Sequence, residues 1–297
     1  MTLAELTSAP ATVVADAPGA SDEVARLFRS ALVVLSVMLL GFVAYVAWGS
    51  RLEHAVAQMR EYTELRNELA QGTVPLGPRA AGRPIAPGTP IALLSIPALG
   101  VRQVVDEGTS AVVLMAGPGH LRTSVFPGGV GTSVVFGRAG AYGGPFGGIG
   151  SLVHGDEITV RTGVGLATFR VVDVRRAGGV IPPLAQGSGR LTLVSATGSS
   201  LFPSGAVDVD ADLVGAPFAA AKPLSAVAPS ELPMATDPSA WRGVALGLEV
   251  LALTLGGAVW VWHRRGRAQA WVIFSAPTLC IGFYLADQAA RLLPNLT

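Results

Sequence analysis

Three long apolar runs constrain this chain before anything else does: residues 31–48 (ALVVLSVMLLGFVAYVAW), 242–262 and 270–286. Each has about the length of a helix that crosses the hydrocarbon core of a bilayer. About thirty polar and mixed residues precede the first run, and its apolar core exceeds that of a cleaved signal peptide, so it reads as an anchor. Arg26 and Arg29 precede it, and HRRGR at 263–267 separates the other two. The positive-inside rule then puts residues 1–30 and 263–269 in the cytoplasm. It leaves 49–241 and the tail 287–297 outside a plasma membrane crossed three times. Trp48, Trp260, Trp262 and Trp271 fall at the ends of the runs, where indole rings suit the interface.

Half of the 297 residues are hydrophobic and 14% are charged, a balance too apolar for an ordinary soluble protein. With a formal net charge of +1 and no basic stripe, the chain offers nucleic acid no field, which removes it as a partner. Cys280 is the single cysteine and lies in the third run, so neither an internal disulfide nor a multi-cysteine metal site can form. No pattern calls for a metal or another cofactor. One acid, Glu249, interrupts the second run roughly 10 Å below its outer end at about 1.5 Å per residue. It serves a relay or a partner contact, or else it faces the bundle beside a hydroxyl such as Tyr45 or Tyr284. No second intramembrane charge completes a relay, which favours the bundle-facing reading.

Between the first and second runs the chain changes character four times. Residues 49–72 place Leu52, Val56, Met59, Leu65 and Leu69 near helical spacing and read as a stalk helix packing on a neighbouring domain. Residues 73–88 are a proline- and glycine-rich linker expected to hold no regular structure. From 89 to 215 come short β-like runs: 91–96, 101–107, 132–137, 157–162, 167–175, 190–196 and 206–214. Their spacing predicts an all-β barrel or sandwich with one or two short helices. In the last run Val207, Val209, Ala211 and Leu213 alternate with Asp208, Asp210 and Asp212, predicting an apolar inner face and a solvated acidic outer one. A calcium site there is disfavoured, because ligands all on one side of a strand cannot wrap the ion. Residues 216–241 form a second tether back to the membrane.

Several phrases occur in a specific order: IALLSIPALGV (91–101), EGTS (107–110), GPGH (117–120), FPGGVGTSVVFG (126–137), AYGGPFGGIGSLVHGDEITV (141–160) and RLTLVSA (190–196). In that order they resemble the sortases, most closely the class E-like sortases of high-GC Gram-positive bacteria. The resemblance implies a mainly β fold: an eight-stranded barrel outside the membrane, here with one N-terminal and two C-terminal transmembrane helices. It also implies the family's work, cleaving a C-terminal sorting signal and transferring the protein to an amine of the cell wall or a pilin.

That chemistry needs a cysteine nucleophile, a histidine acid and base, and an arginine that holds the substrate and the oxyanion. Aligned on YGGPF, the family's GHR triplet appears as Gly137, Arg138 and Ala139. Arg138 stands where the histidine belongs, and a guanidinium releases no proton at physiological pH. Aligned on the strand LTL, the family's TTC appears as Val194, Ser195 and Ala196, and the late arginine falls at Gly205. The resemblance therefore implies a barrel without its triad. Arg138, Ser195, Thr197, His120 and Tyr142 are the candidate groove residues, with Arg138 either offering donors to a peptide or pairing with an acid such as Asp208. The glycines around Arg138 allow a backbone to come close or serve turn chemistry.

The favoured function is non-catalytic: holding an extended peptide of a surface protein in the old groove, or docking beside an envelope protein or an active sortase. Two alternatives stay open. One is a hydrolase or transpeptidase in which a serine or threonine (Ser195, Thr197, Ser199 or Ser200) is activated by His120, a residue whose structural hydrogen-bonding role is favoured. The other is a structural membrane subunit docking through its helix bundle and Glu249.

Overall fold

The computed structural model describes residues 20–80, 82–176, 179–199, 202–219 and 221–297. Most of the expected cytoplasmic tail, and Ser200, lie outside the described residues. Residues up to Gly41 form one unit and 42–297 a second, and each is described by itself. The first unit is carried by helix α1 (Ala20–Ala44), on which Phe28, Leu32, Leu35, Leu39 and Leu40 are all exposed. An apolar surface of that kind belongs in lipid rather than in water.

In the second unit one π turn (Tyr45–Gly49) leads into α2 (Ser50–Gln71), which stops where Gly72 turns left-handed at φ 68°. The helix docks on the barrel with Leu65 and Leu69 of its apolar stripe packed inward, but the N-terminal part of the stripe faces out. His54, Gln58, Glu61 and Leu65, at i, i+4, i+7 and i+11, face inward, while Leu52, Val56 and Met59 are exposed. Gln58 explains the preference: its Oε1 accepts from Val104 N at 2.7 Å, and its Nε2 donates to Val104 O and Ala116 O at 3.3 and 3.1 Å. A polar side chain that answers buried backbone outweighs an apolar stripe with nothing to cover. The proline-rich stretch that follows does hold a two-residue ladder, β1 (Arg79–Ala80) with β2 (Arg83–Pro84).

Eight strands then close a barrel: β3 (Pro90–Ile96), β4 (Val101–Glu107), β5 (Gly119–His120), β6 (Gly131–Phe136), β7 (Glu157–Thr162), β8 (Leu166–Arg176), β9 (Gly189–Ser199) and β10 (Phe202–Val214). Around the barrel they run β10-β8-β7-β3-β4-β5-β6-β9, and β9 pairs back onto β10. Only β4 with β5 and β6 with β9 are parallel. A short helix, α3 (Ala111–Ala116), links β4 to β5. Period-two alternation fills the interior with Ile91, Leu94, Ile96, Ile158, Val160, Phe169, Leu193 and Val209, all fully or almost fully buried. The acidic face of β10 departs from expectation: Asp210 is completely buried, accepting from Arg175 Nε at 2.6 Å and Thr192 Oγ1 at 2.7 Å. Asp212 accepts from Arg190 at 2.6 Å. These carboxylates are answered by arginines of neighbouring strands, not by water.

Helices α4 (Ala240–Arg265) and α5 (Arg267–Arg291) turn at Gly266, so the chain has three helices long and apolar enough to cross a membrane, one N-terminal and two C-terminal. Gly243 and Gly247 face α5, where an added Cβ would meet Gln288 and Leu285 at 2.7 and 2.6 Å. Small residues four apart let two helix backbones approach closely.

Where α2 meets β4, both carboxyl oxygens of Asp106 are buried without a hydrogen-bond partner. Burial holds Asp106 well above the ordinary carboxylate range, and the like charges of Glu61 and Glu64 add to it. Burial raises Glu61 as well, opposed by Arg60. A carboxyl whose folded pKa is raised binds more protons folded than unfolded, so its contribution to stability is lost as pH rises from the ordinary carboxylate range through the folded value. Asp106→Asn should therefore raise the melting temperature at about pH 8 and flatten its decline from about pH 5. Parallel melting curves for variant and wild type would contradict this.

Candidate functional site

Strands β6 and β9 lie side by side with Phe136 opposite Val194, and β10 returns along β9 with Thr197 opposite Gly205. That register brings Arg138, Ala196 and Gly205 to one end of the barrel, just past the end of β6. The three positions marked by the resemblance thus converge in space.

Arg138 does not face an open groove. It is completely buried. Its Nε donates to Leu114 O at 3.2 Å, Nη2 to Ala111 O at 3.2 Å, and Nη1 to Thr297 O at 3.0 Å. The guanidinium also lies over the Tyr142 ring, 5.0 Å from its centroid. Desolvation lowers its pKa to about 10, so it stays charged at neutral pH. The expected partner Asp208 is instead bound to Arg175 at 2.8 Å. The acceptors are main-chain oxygens, two of them from α3, Leu114 O being one that lacks an intrahelical partner.

The third acceptor belongs to a segment expected to be a free tail. Residues 292–297 leave α5 and enter the barrel end, where Asn295, Leu296 and Thr297 are buried. Asn295 N donates to Ala235 O at 2.9 Å, and Asn295 Nδ2 donates to Thr109 O at 2.9 Å and Leu232 O at 3.0 Å. Leu296 O accepts from Ala139 N at 2.9 Å. The Leu296 side chain packs among Leu114, Phe136, Val194 and Ala196, so it rests on the methyl group that occupies the place of a nucleophile.

Tyr142 is buried and keeps a left-handed backbone at φ 51°, a conformation a bulky residue adopts only when its surroundings hold it there. Ser50 Oγ accepts from its amide at 3.1 Å. Tyr45 OH donates to Glu53 Oε2 at 2.6 Å, so the 3.3 Å contact between the two phenols has Tyr142 donating to Tyr45. Burial pushes the Tyr142 phenol up to about 12. Around these rings pack Val46, Met115, Ala141, Ala286 and Ala290, which joins the loop after Arg138 to the end of the first helix and to α5. Among the glycines of that loop, Gly143 at φ 79° both turns the chain and admits His54, whose ring a Cβ would meet at 2.7 Å. What comes close to the loop is the chain itself.

Ser195 and His120 are not brought together as a catalytic pair. Ser195 is buried and its Oγ donates to Gly137 O at 2.9 Å. His120 is buried between Glu107 Oε2, 2.9 Å from Nδ1, and Val125 O, 3.0 Å from Nε2, with Ser124 Oγ 3.1 Å from Nε2. A carbonyl can only accept, so Nε2 carries a proton and is no base for Ser195. Ser124 Oγ in turn donates to Leu121 O at 2.7 Å, so Glu107, His120 and Ser124 form a buried structural network, with Glu107 Oε1 facing Arg122 Nε at 3.9 Å. Glu107 opens the phrase EGTS but is given no role there, and Ser124 carries no mark in the sequence; the pairing of β4 with β5 sets Glu107 opposite His120. Thr197 lies nearer the surface, its Oγ1 3.3 Å from Ser204 Oγ, and His154 is exposed on a turn. The Ser199 side chain lies outside the described residues.

Glu249 is exposed on α4 instead of facing the bundle, and Tyr45 is committed to Glu53 and Tyr142. The packing stripe of α4 runs through Gly243, Gly247 and Leu251, and a residue two positions from Gly247 points about 200° away from it.

Residues 94–197 match the family model of the sortase domain. No curated protein matches the chain. Among solved structures it is similar to the Clostridium perfringens sortase D5 transpeptidase, 21% identical over 54% of this chain and 99% of that one, with a TM-score of 0.45. Sortase E from Streptomyces avermitilis is 28% identical over 44% of this chain and 91% of that one, with a TM-score of 0.39. Clostridium perfringens sortase C, solved with the C-terminal cell wall sorting motif, is 17% identical over 54% and 88%, with a TM-score of 0.41. The matched residues run from within β3 into β9 of the closed eight-stranded barrel, and the chain belongs to the sortase family.

Proposed function

We propose that this is a membrane-anchored, non-catalytic member of the sortase family, class E-like in its wording, that holds a peptide of a surface or envelope protein at the Arg138 end of the barrel. One observation carries the reading. The positions that should supply base, nucleophile and oxyanion cation hold a buried arginine, a methyl group and a glycine, and a turn at residues 294–297 already packs at the first two. A thiol route is closed because Cys280, the single cysteine, lies in α5. A serine route lacks its base, since both nitrogens of His120 are occupied. The basic residues at 263–267 and before the first span support a multi-pass topology in the plasma membrane with the barrel outside.

Incubating the full chain in detergent with a sorting-signal peptide and hydroxylamine should give no cleavage or hydroxamate above buffer. Turnover abolished by Ser195→Ala would overturn the non-catalytic reading.

A second reading, a membrane partner docked on the α4–α5 hairpin, is favoured by the exposed Glu249, because a carboxylate facing lipid is costly until a cation meets it. It predicts that Glu249→Ala, and no change in the barrel, releases a partner co-purified from the membrane.

Arg138→Ala is a poor probe of binding, because it should act on stability first. It leaves Leu114 O and Thr297 O without a donor, each worth about 1–3 kcal/mol when unpaired, and takes one of two donors from Ala111 O, which α3 also bonds to the Met115 amide. The expected total of about 3–5 kcal/mol corresponds to a melting temperature lower by roughly 10 °C for a domain of this size. A melting temperature within about 2 °C of wild type would show that those carbonyls are answered by other donors.

A further inference from the structure

We infer that residues 292–297 are a built-in, displaceable ligand, and that the cradle around Arg138 accepts from a partner protein a peptide that forms the same turn with the same side-chain order: Asn, Leu, Thr. The inference rests on the reading of this barrel end as a non-catalytic binding site and names what it binds.

The segment is held the way a bound peptide is held. Its backbone closes a turn, Thr297 N and Oγ1 both donating to Pro294 O, and meets Ala235 O, Ala139 N and the Arg138 guanidinium, contacts that any chain making that turn can offer. Two side chains are read on top of that. The Asn295 amide donates to two carbonyls, Thr109 O and Leu232 O, an arrangement that a carboxylate of equal size cannot satisfy because it has no proton to give. Leu296 is completely buried in an apolar cluster with Leu114, Phe136, Val194 and Ala196.

Two further observations mark the site as a clamp whose present occupant fits imperfectly. The only described non-glycine residues with positive φ are Tyr142 at 51° and Met234 at 59°. The first stacks on Arg138 and the second packs on the Leu296 cluster, so both backbone strains border this one cradle. Asn295 Oδ1 is buried with no hydrogen-bond partner, a cost that a ligand bringing its own donor would remove. Ahead of Asn295, residues 292–294 are only half-buried, which gives a competing chain a place to start.

The test uses the full chain, and the same chain ending at Arg291, in detergent, with fluorescent Leu-Leu-Pro-Asn-Leu-Thr as probe. The shortened chain should bind the probe about 100-fold more tightly than the intact chain, where the tethered segment competes at an effective concentration on the order of millimolar. A probe carrying L296D should lose that binding. If the shortened chain melts cooperatively yet does not bind, the inference falls. Capture of an envelope protein equally by both chains would leave the binding function standing without this site, whereas peptide turnover would sink the function itself. Hydrogen exchange on the intact chain covers the case in which the shortened one fails to fold. The Ala139 amide, bonded to Leu296 O, should exchange by local opening well before the amides of β9 and β10. Exchange only together with those strands would show a fixed structural element and overturn the inference.

Discussion

A guanidinium sealed from water has five N–H donors to satisfy, and most of the barrel end is arranged around that requirement at Arg138. Side-chain carboxylates do not answer it. Two carbonyls of α3, one of Thr297 and the face of Tyr142 do. Each acceptor brings a segment with it, so one buried charge fixes where α3 ends, how the loop after β6 turns, and where the chain after α5 goes. Because water is excluded, these charge-assisted contacts are stronger than at a surface, and an unmet one is correspondingly costly.

The same end of the barrel is tied to the helices. Tyr142 reaches Tyr45 and, through it, Glu53; Ser50 takes the Tyr142 amide; Ala286 and Ala290 of α5 pack into the same cluster. In this arrangement the long apolar helices take part in the architecture of the site, since α5 delivers residues 292–297 and the π turn at Tyr45–Gly49 sets the phenol under the loop. A π turn shifts the helical register by one residue, which here aims Tyr45 at the barrel.

The barrel was legible because period-two alternation, as in Val207, Val209 and Ala211, has few other solutions, and the helices because long apolar runs have fewer still. Patterns built from polar contacts were not legible. The docking face of α2 runs through His54, Gln58 and Glu61, and nothing in hydropathy distinguishes it from a solvated face. The acids of β10 looked solvated because their arginines, Arg175 and Arg190, come from other strands. At the site, alignment located Arg138, Ala196 and Gly205 but could not see what fills the space between them. The short sequence Leu-Leu-Pro-Asn-Leu-Thr after a hydrophobic helix carries no signal of its own, and only the long-range contact with Ala139 and Arg138 gives it meaning.

On the proposed non-catalytic reading, the altered triad positions and the filled barrel end are one structural change. A histidine in place of Arg138 has at most two donors and cannot serve three carbonyls that lie in different directions, so restoring the acid–base group would release Thr297 and strain α3. A sulfur added at Ala196 would enter the space that Leu296 now fills. Neither replacement alone recovers an open, competent site: the first leaves unmet acceptors, and the second meets a side chain already in place. The residues that would make this barrel an enzyme are incompatible with the segment it holds, and the residues it has in their place are the ones that hold it.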